Sequence, residues 1–169
     1  IILYAVSRTL IKFPDFNAHV TDGDKLRRFR HVHLGVAMDT PRGLMVPTIF
    51  NADQKSLTEI SAEAKALAKQ AQAGSVSPDV LQGGTFTVSN LGSLGVEMFT
   101  PVINAPQTAI LGVCNLVTRF RMTDGEAKPY QAMGLSVTYD HRVIDGAPEA
   151  RFAMELISYL ENFTAMLVE

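Results

Sequence analysis

The residues best suited to chemistry stand in one run, Tyr139-Asp140-His141-Arg142-Val143-Ile144-Asp145-Gly146. An apolar alternation of Met133, Leu135, Val137 and Tyr139 leads into it, and a helical pattern follows from Ala147. A histidine where a strand meets a helix can stand in a cleft at a sheet edge. Its imidazole titrates near neutral pH, so it can take a proton and return it within one turnover. Asp145 and Gly146 then turn the chain into the helix, with Gly146 expected to serve backbone shape. A lone histidine before a turn is more often a satisfied structural residue than a catalyst, so these eight residues by themselves leave both roles open.

Other reactive residues make weaker cases. His31 and His33 share one face of an expected strand, but no Cys, Asp or Glu completes a ligand set at suitable spacing, so no metal is expected. His19 stands by itself in a short strand. Cys114, the only cysteine, lies in the apolar run from Ala109 to Val117 and reads as a buried, inert thiol. A single cysteine builds no disulfide framework, which makes a reducing compartment the default. Leu91-Gly92-Ser93-Leu94-Gly95 is glycine-rich, but its spacing is not that of a dinucleotide loop. The net charge of −2 offers no broad basic field to nucleic acid or an anionic membrane. The short run Lys25 to Arg30 reads as a solvated strand edge. No apolar run approaches a membrane span, and no signal peptide is visible.

These residues need a scaffold, and 169 residues are enough for one domain with its own core. Leu3, Val6, Leu10 and Phe13 follow helical spacing up to Pro14. The chain thus opens inside a helix, and residues are expected upstream. Strands are expected at Asn17 to Val20, Arg28 to Met38 and Leu44 to Phe50, with turns at Thr21-Asp22-Gly23-Asp24 and Pro41-Arg42-Gly43 and a bend at Pro47. Ser56 and Glu59 form a capping box for a helix to Ala73, stopped by Gly74, with Leu57, Ile60, Ala64, Leu67, Ala68 and Ala71 as its apolar stripe. Further strands are expected at Thr85 to Ser89, then Thr108 to Arg121 and Ala127 to Tyr139 around the hairpin signal Asp124-Gly125. A last helix, Ala147 to Glu161, would face inward through Ala150, Ala153, Met154, Ile157 and Leu160. The mixture lacks regular βαβ spacing and predicts an α/β fold, a two-layer sandwich of a mixed β-sheet with helices.

His141-Arg142-Val143-Ile144-Asp145-Gly146 matches the HxxxDG signature of dihydrolipoyl acyltransferases, the core components of 2-oxo acid dehydrogenase complexes. Chloramphenicol acetyltransferases, which share that fold, carry a similar motif. The resemblance extends to Gly43-Leu44-Met45-Val46-Pro47, Ser56 to Ser61, Phe86-Thr87-Val88-Ser89-Asn90-Leu91-Gly92, Phe99 to Gln107 and Ala109 to Val113. It runs through nearly the whole chain.

The resemblance implies a chloramphenicol-acetyltransferase-like fold and a single acyltransferase catalytic domain over 1–169, the C-terminal part of a longer multidomain chain. It implies transfer of an acyl group between a lipoyl group, carried on a separate upstream domain, and coenzyme A as substrate. His141 would be the general base toward a thiol, and Ser89 would hydrogen-bond the developing oxyanion. Asp145 would support the histidine loop, and Thr100 and Asn104 would lie near the acyl site. His141 and Ser89 would meet across a subunit boundary, in a homotrimer that assembles into a cubic or dodecahedral core. Apolarity near the terminus makes the final helix and tail, through Phe163, Met166 and Leu167, candidates for contacts between trimers. Partners would be the lipoyl domain and the 2-oxo acid dehydrogenase and dihydrolipoyl dehydrogenase components, in the bacterial cytoplasm or the mitochondrial matrix, the cytoplasm being preferred. The run from Asp140 to Phe152 is more similar to acetyl and branched-chain types than to succinyl ones, which favours acetyl. The alternatives are a branched-chain or succinyl member, a stand-alone O-acetyltransferase with an alcohol acceptor, and a non-catalytic core scaffold. The presence of both His141 and Ser89 weighs against the scaffold.

Overall fold

A computed structural model describes residues 1–21 and 25–167. The expected turn at residues 21–24 falls mostly outside them. Helix α1 (Ile2–Lys12) is followed by a two-stranded antiparallel ribbon, β1 (Ala18–Thr21) with β2 (Lys25–Arg28). Strand β3 (Leu34–Thr40) pairs on one side with β4 (Gly43–Met45) and β5 (Thr48–Ile49). Helix α2 (Leu57–Ala73) precedes β6 (Phe86–Asn90), β7 (Ala109–Thr123) and β8 (Glu126–Tyr139). Helices α3 (Gly146–Glu161) and α4 (Phe163–Met166) close the chain. The main sheet runs β4-β3-β6-β7-β8, parallel from β3 through β7 and antiparallel at β8, so it is mixed as expected.

Alternation along these strands separates two faces. Phe86 and Val88 of β6, and Ala109, Leu111 and Val113 of β7, join one buried cluster with Leu10, Ile60, Leu67, Phe152 and Leu156 of the helices. Phe152 stacks on Phe16 with ring centroids 4.4 Å apart. The other face carries Gly35, Ala37, Thr87, Ser89, Ile110 and Gly112, and no long helix covers it. Instead the irregular segment after β6 folds back over the sheet, with Asn115 N donating to Val96 O at 2.9 Å. Small residues permit that approach. A Cβ on Gly112 would stand 2.9 Å from Phe99 Cζ, and one on Gly134 would stand 3.2 Å from Glu97 O.

Helix α2 starts and stops where its sequence says. Ser56 Oγ accepts from Glu59 N, Glu59 reaches back to Ser56 N at 2.8 Å, and Gly74 ends the helix at φ 66°. The basic run is also as expected, an exposed outer strand in which Arg28 pairs with Asp15 at 2.5 Å.

Three expectations need correction. Arg28 to Met38 is not one strand. Residues 29–33 leave the sheet because side chains remote in sequence take their backbone groups: Asn17 donates to Phe29 O and His31 O at 3.0 and 3.1 Å, Asp53 accepts from Val32 N at 2.8 Å, and Thr85 accepts from His33 N at 2.9 Å. Helix α3 buries Phe152 and Leu156, while Met154 and Ile157 stay exposed. Two apolar stripes compete on this helix, and the one whose phenylalanine can stack on Phe16 wins the core. In the tail, Phe163 meets Tyr4 edge-on at 6.3 Å and Met166 is buried, so of the three tail residues only Leu167 remains exposed.

Candidate active site

His141 follows β8 directly, in the turn between the sheet and α3. Asp140 N donates to Thr108 O at 2.8 Å, and the Asp140 carbonyl accepts from Val143 N and Ile144 N, both at 3.0 Å. Ile144 is buried and roots the turn in the core. The His141 side chain itself is 72% exposed. Its ring lies 5.7 Å from that of Tyr139, and its Nδ1 is 3.8 Å from Asp145 Oδ1, too far for a hydrogen bond. Asp145 occupies the cap position of α3 without capping it through its side chain. Gly146 does not have a left-handed φ, and an added Cβ would meet only Tyr139 Oη at 3.9 Å. The single chain therefore gives no backbone reason for that glycine, contrary to expectation.

Ser89 sits near the carboxyl end of β6 on the face away from the helices. It is half-buried and lines a cavity of about 340 Å³ together with Ala37, Val46, Phe99, Val102 and Asn104. Asn104 also borders a second cavity of about 230 Å³, with His19, Gly84, Pro106 and Gln107. A buried polar network holds the wall between the cavities. Thr87 Oγ1 donates to Gln107 Oε1 at 2.7 Å, and Gly84 O accepts from Gln107 Nε2 at 3.1 Å and from His19 Nε2 at 2.8 Å. Since a carbonyl can only accept, His19 carries its proton on Nε2. Asn104 thus lines the same cavity as Ser89, whereas Thr100 stands exposed outside the lining of either cavity.

The roles of His19, Thr87 and Gln107 were not evident from sequence. Thr87 shares strand parity with Ser89, which was the available signal. The other histidines also have protein partners. His31 Nδ1 meets Asp53 Oδ2 at 2.9 Å, and His33 Nδ1 accepts from Asn51 N at 3.1 Å. Burial pushes the His33 pKa below its ordinary value. Among the described residues no group of three or more His, Cys, Asp or Glu is placed to hold a metal ion, and no helix is long and apolar enough to cross a membrane.

One chain does not bring Ser89 and His141 together. Ser89 pairs with Gly112 and Gly112 with Ser136, and His141 lies five residues beyond Ser136. Two strand spacings of about 4.8 Å across and five residues of about 3.4 Å along put the two Cα atoms roughly 15–20 Å apart. Two apolar residues of the Ser89 cavity, Leu44 and Val102, are meanwhile 73% and 87% exposed.

Comparison with known proteins gives one consistent result. Residues 1–168 match the family described as 2-oxoacid dehydrogenases acyltransferase (catalytic domain). The dihydrolipoyllysine-residue acetyltransferase component of the pyruvate dehydrogenase complex from Cupriavidus necator is 45% identical over 97% of this chain, and that from Azotobacter vinelandii is 44% identical over 99%. The chain spans only 30% and 26% of those two relatives. The atomic structure of the cubic core of the pyruvate dehydrogenase multienzyme complex superposes with a TM-score of 0.92 at 44% identity, covering 98% of this chain and 69% of that one. A structure of Azotobacter vinelandii dihydrolipoamide acetyltransferase, solved to investigate a serine, a histidine and an asparagine in its catalytic mechanism, also gives 0.92, at 43% identity over 98% of this chain and 69% of that one. Chloramphenicol acetyltransferase shares the fold at 14% identity, with a TM-score of 0.54 over 94% of this chain and 75% of that one.

Proposed function

This chain belongs to the 2-oxoacid dehydrogenase acyltransferase family, as a catalytic domain, and from that premise we propose that it transfers an acetyl group between a lipoyl group and coenzyme A. Spacing carries the assignment of its residues. Ser89 and His141 stand at the same separation in sequence as the serine and histidine studied in the Azotobacter enzyme, and Asp145 takes the position of the asparagine. The acetyl preference follows the names of the curated relatives.

His141 acts as general base. A thiol with an ordinary pKa of about 8.5 is mostly protonated at neutral pH, and the imidazole accepts its proton as the sulfur attacks the thioester carbonyl. The tetrahedral oxyanion accepts a hydrogen bond from Ser89 Oγ. Collapse expels the second sulfur as a thiolate, which takes the proton back from the imidazolium. The acetyl group changes thiols without an acyl-enzyme, and no metal or redox group enters the sequence. Asp145 supports the histidine turn, and Asn104, which lines the Ser89 cavity, borders the acyl site.

The catalytic pair comes from two chains. The distance between Ser89 and His141 within one chain and the apolar rim of the Ser89 cavity both support a site completed by a neighbour's His141. The whole protein would form trimers within a larger core, carry its lipoyl domain upstream, and work with the dehydrogenase and dihydrolipoyl dehydrogenase components in a bacterial cytoplasm or mitochondrial matrix.

The test is transfer from acetyl-CoA to dihydrolipoamide by the full-length assembled core. His141→Ala and Ser89→Ala should each collapse the rate. Refolding the two variants together should then restore activity in about a quarter of the sites, because a mixed trimer pairs an intact serine with an intact histidine across some boundaries. Loss in both variants with no recovery on mixing would place the site within one chain. An inactive wild type would favour the scaffold.

A further inference from the structure

We propose that Asp140 and Arg142 form a clamp across His141 that positions its imidazole for proton transfer, an inference that rests on the function proposed above. The imidazole has few direct holds of its own. It is exposed, its Asp145 contact is too long for a hydrogen bond, and its aromatic neighbour is Tyr139. The residues on either side are locked to each other instead. Arg142 Nε donates to Asp140 Oδ1 at 3.0 Å and to Oδ2 at 3.2 Å, Nη2 donates to Oδ2 at 2.6 Å, and the Arg142 backbone N donates to Oδ1 at 3.0 Å.

The two ends of the clamp differ in setting. The Asp140 side chain is 16% exposed and that of Arg142 65%. Asp140 is also fixed through its backbone, to Thr108 on the sheet and to Val143 and Ile144 in the turn. The arginine thus closes a short ring whose other side is anchored to the fold, and the backbone of His141 lies inside that ring. Its dihedrals have little freedom while the ring is closed, and they set the direction of the Cα–Cβ bond that carries the imidazole. The guanidinium holds the Asp140 carboxyl below the usual aspartate range, so the clamp stays charged at any pH where a histidine base works. Lysine cannot reproduce a planar fork on both oxygens, which makes Arg142→Lys a change of geometry at constant charge. Asp140 and Arg142 are positioning residues. They act through His141 and touch no reacting atom.

The experiment uses the full-length assembled core with Arg142→Lys, Asp140→Asn and the double variant. It reads kcat, KM for acetyl-CoA, and amide hydrogen exchange of the segment 139–146 by mass spectrometry. A clamp predicts kcat lower by roughly 10-fold with KM changed by less than about 2-fold, since small misplacement of a reacting group costs rate rather than binding. Exchange in that segment should rise about 10-fold with the rest of the chain unchanged, and the double variant should be no worse than the poorer single one. Should Asp140→Asn fail to assemble, the exposed Arg142→Lys site decides alone. Arg142→Lys with full kcat, or with unchanged exchange, overturns the proposal. A wild type without transfer activity would defeat the proposed function, and the exchange data would still decide whether the clamp orders the turn.

Discussion

The two faces of the sheet are written by alternate residues of the same strands, yet they are built on opposite principles. Toward the helices, Phe86, Val88, Leu111 and Val113 fill space with large side chains against Phe152 and Leu156. Away from them, Gly35, Thr87, Ser89 and Gly112 leave space, and a loop rather than a helix enters it. One residue of shift along β6 separates a packing position from a chemical one. Stability and reactivity can therefore be altered separately, and substitutions on the two faces should show it.

The largest effect belongs to the helix face. Phe152→Ala removes a ring stacked on Phe16 and should cost about 3–5 kcal/mol, seen as a lower denaturation midpoint. The rate per folded site should hold. Ser89→Ala should do the converse, lowering transfer by about 100- to 1000-fold with stability changed by less than about 0.5 kcal/mol. Equal damage to both properties by either variant would end the separation of the faces. Gly112→Ala forces a methyl to within 2.9 Å of Phe99. The Phe99 ring or the loop that carries it must shift, at a cost of about 1–3 kcal/mol, and the Ser89 cavity, which Phe99 lines, should change with it. Ser56→Ala lies at the start of a helix on the packing side. Losing its cap should cost about 1 kcal/mol in a denaturant titration and leave transfer untouched.

The smallest effect is one of pH, at the bend between β2 and β3. His33 accepts from Asn51 N through Nδ1, which requires the unprotonated ring. Its folded pKa lies below the ordinary 6.5. The unfolded chain therefore takes up the proton first. The contribution is complete above that ordinary value and is lost as pH falls through the folded pKa. The fall in stability between about pH 7.5 and about pH 5.5 should be shallower in His33→Asn.

What the sequence disclosed was mostly local. The capping box at Ser56 and Glu59, the stop at Gly74 and the hairpin at Asp124-Gly125, where Asp124 takes φ 55°, depend on neighbours a few residues away. Ser89 and His141 were singled out by the motifs that carry the family resemblance. That they would meet only across a subunit boundary came from the resemblance alone, because their distance within one chain follows from strand register. The bend at residues 29–33 stayed hidden for a similar reason, since Asn17, Asp53 and Thr85 impose it from distant parts of the chain. On α3, two stripes of comparable apolarity left the choice of inner face to Phe16, which the helix cannot know.

The order of the strands has a consequence for synthesis. β3, β6, β7 and β8 join the sheet in the order in which a ribosome releases them, each at the edge left by the one before. The helix layer does not grow that way. Leading segments meet trailing ones, with Phe16 on Phe152 and Lys12 on Glu155, the latter pair 143 residues apart. Strands can be added as they emerge, and α1 can meet residues 52–54 and α2 early, but its contact with α3 must wait for that helix. The side of α1 that meets α3 is therefore covered only after the sheet strands have been made, so this part of the helix layer closes late.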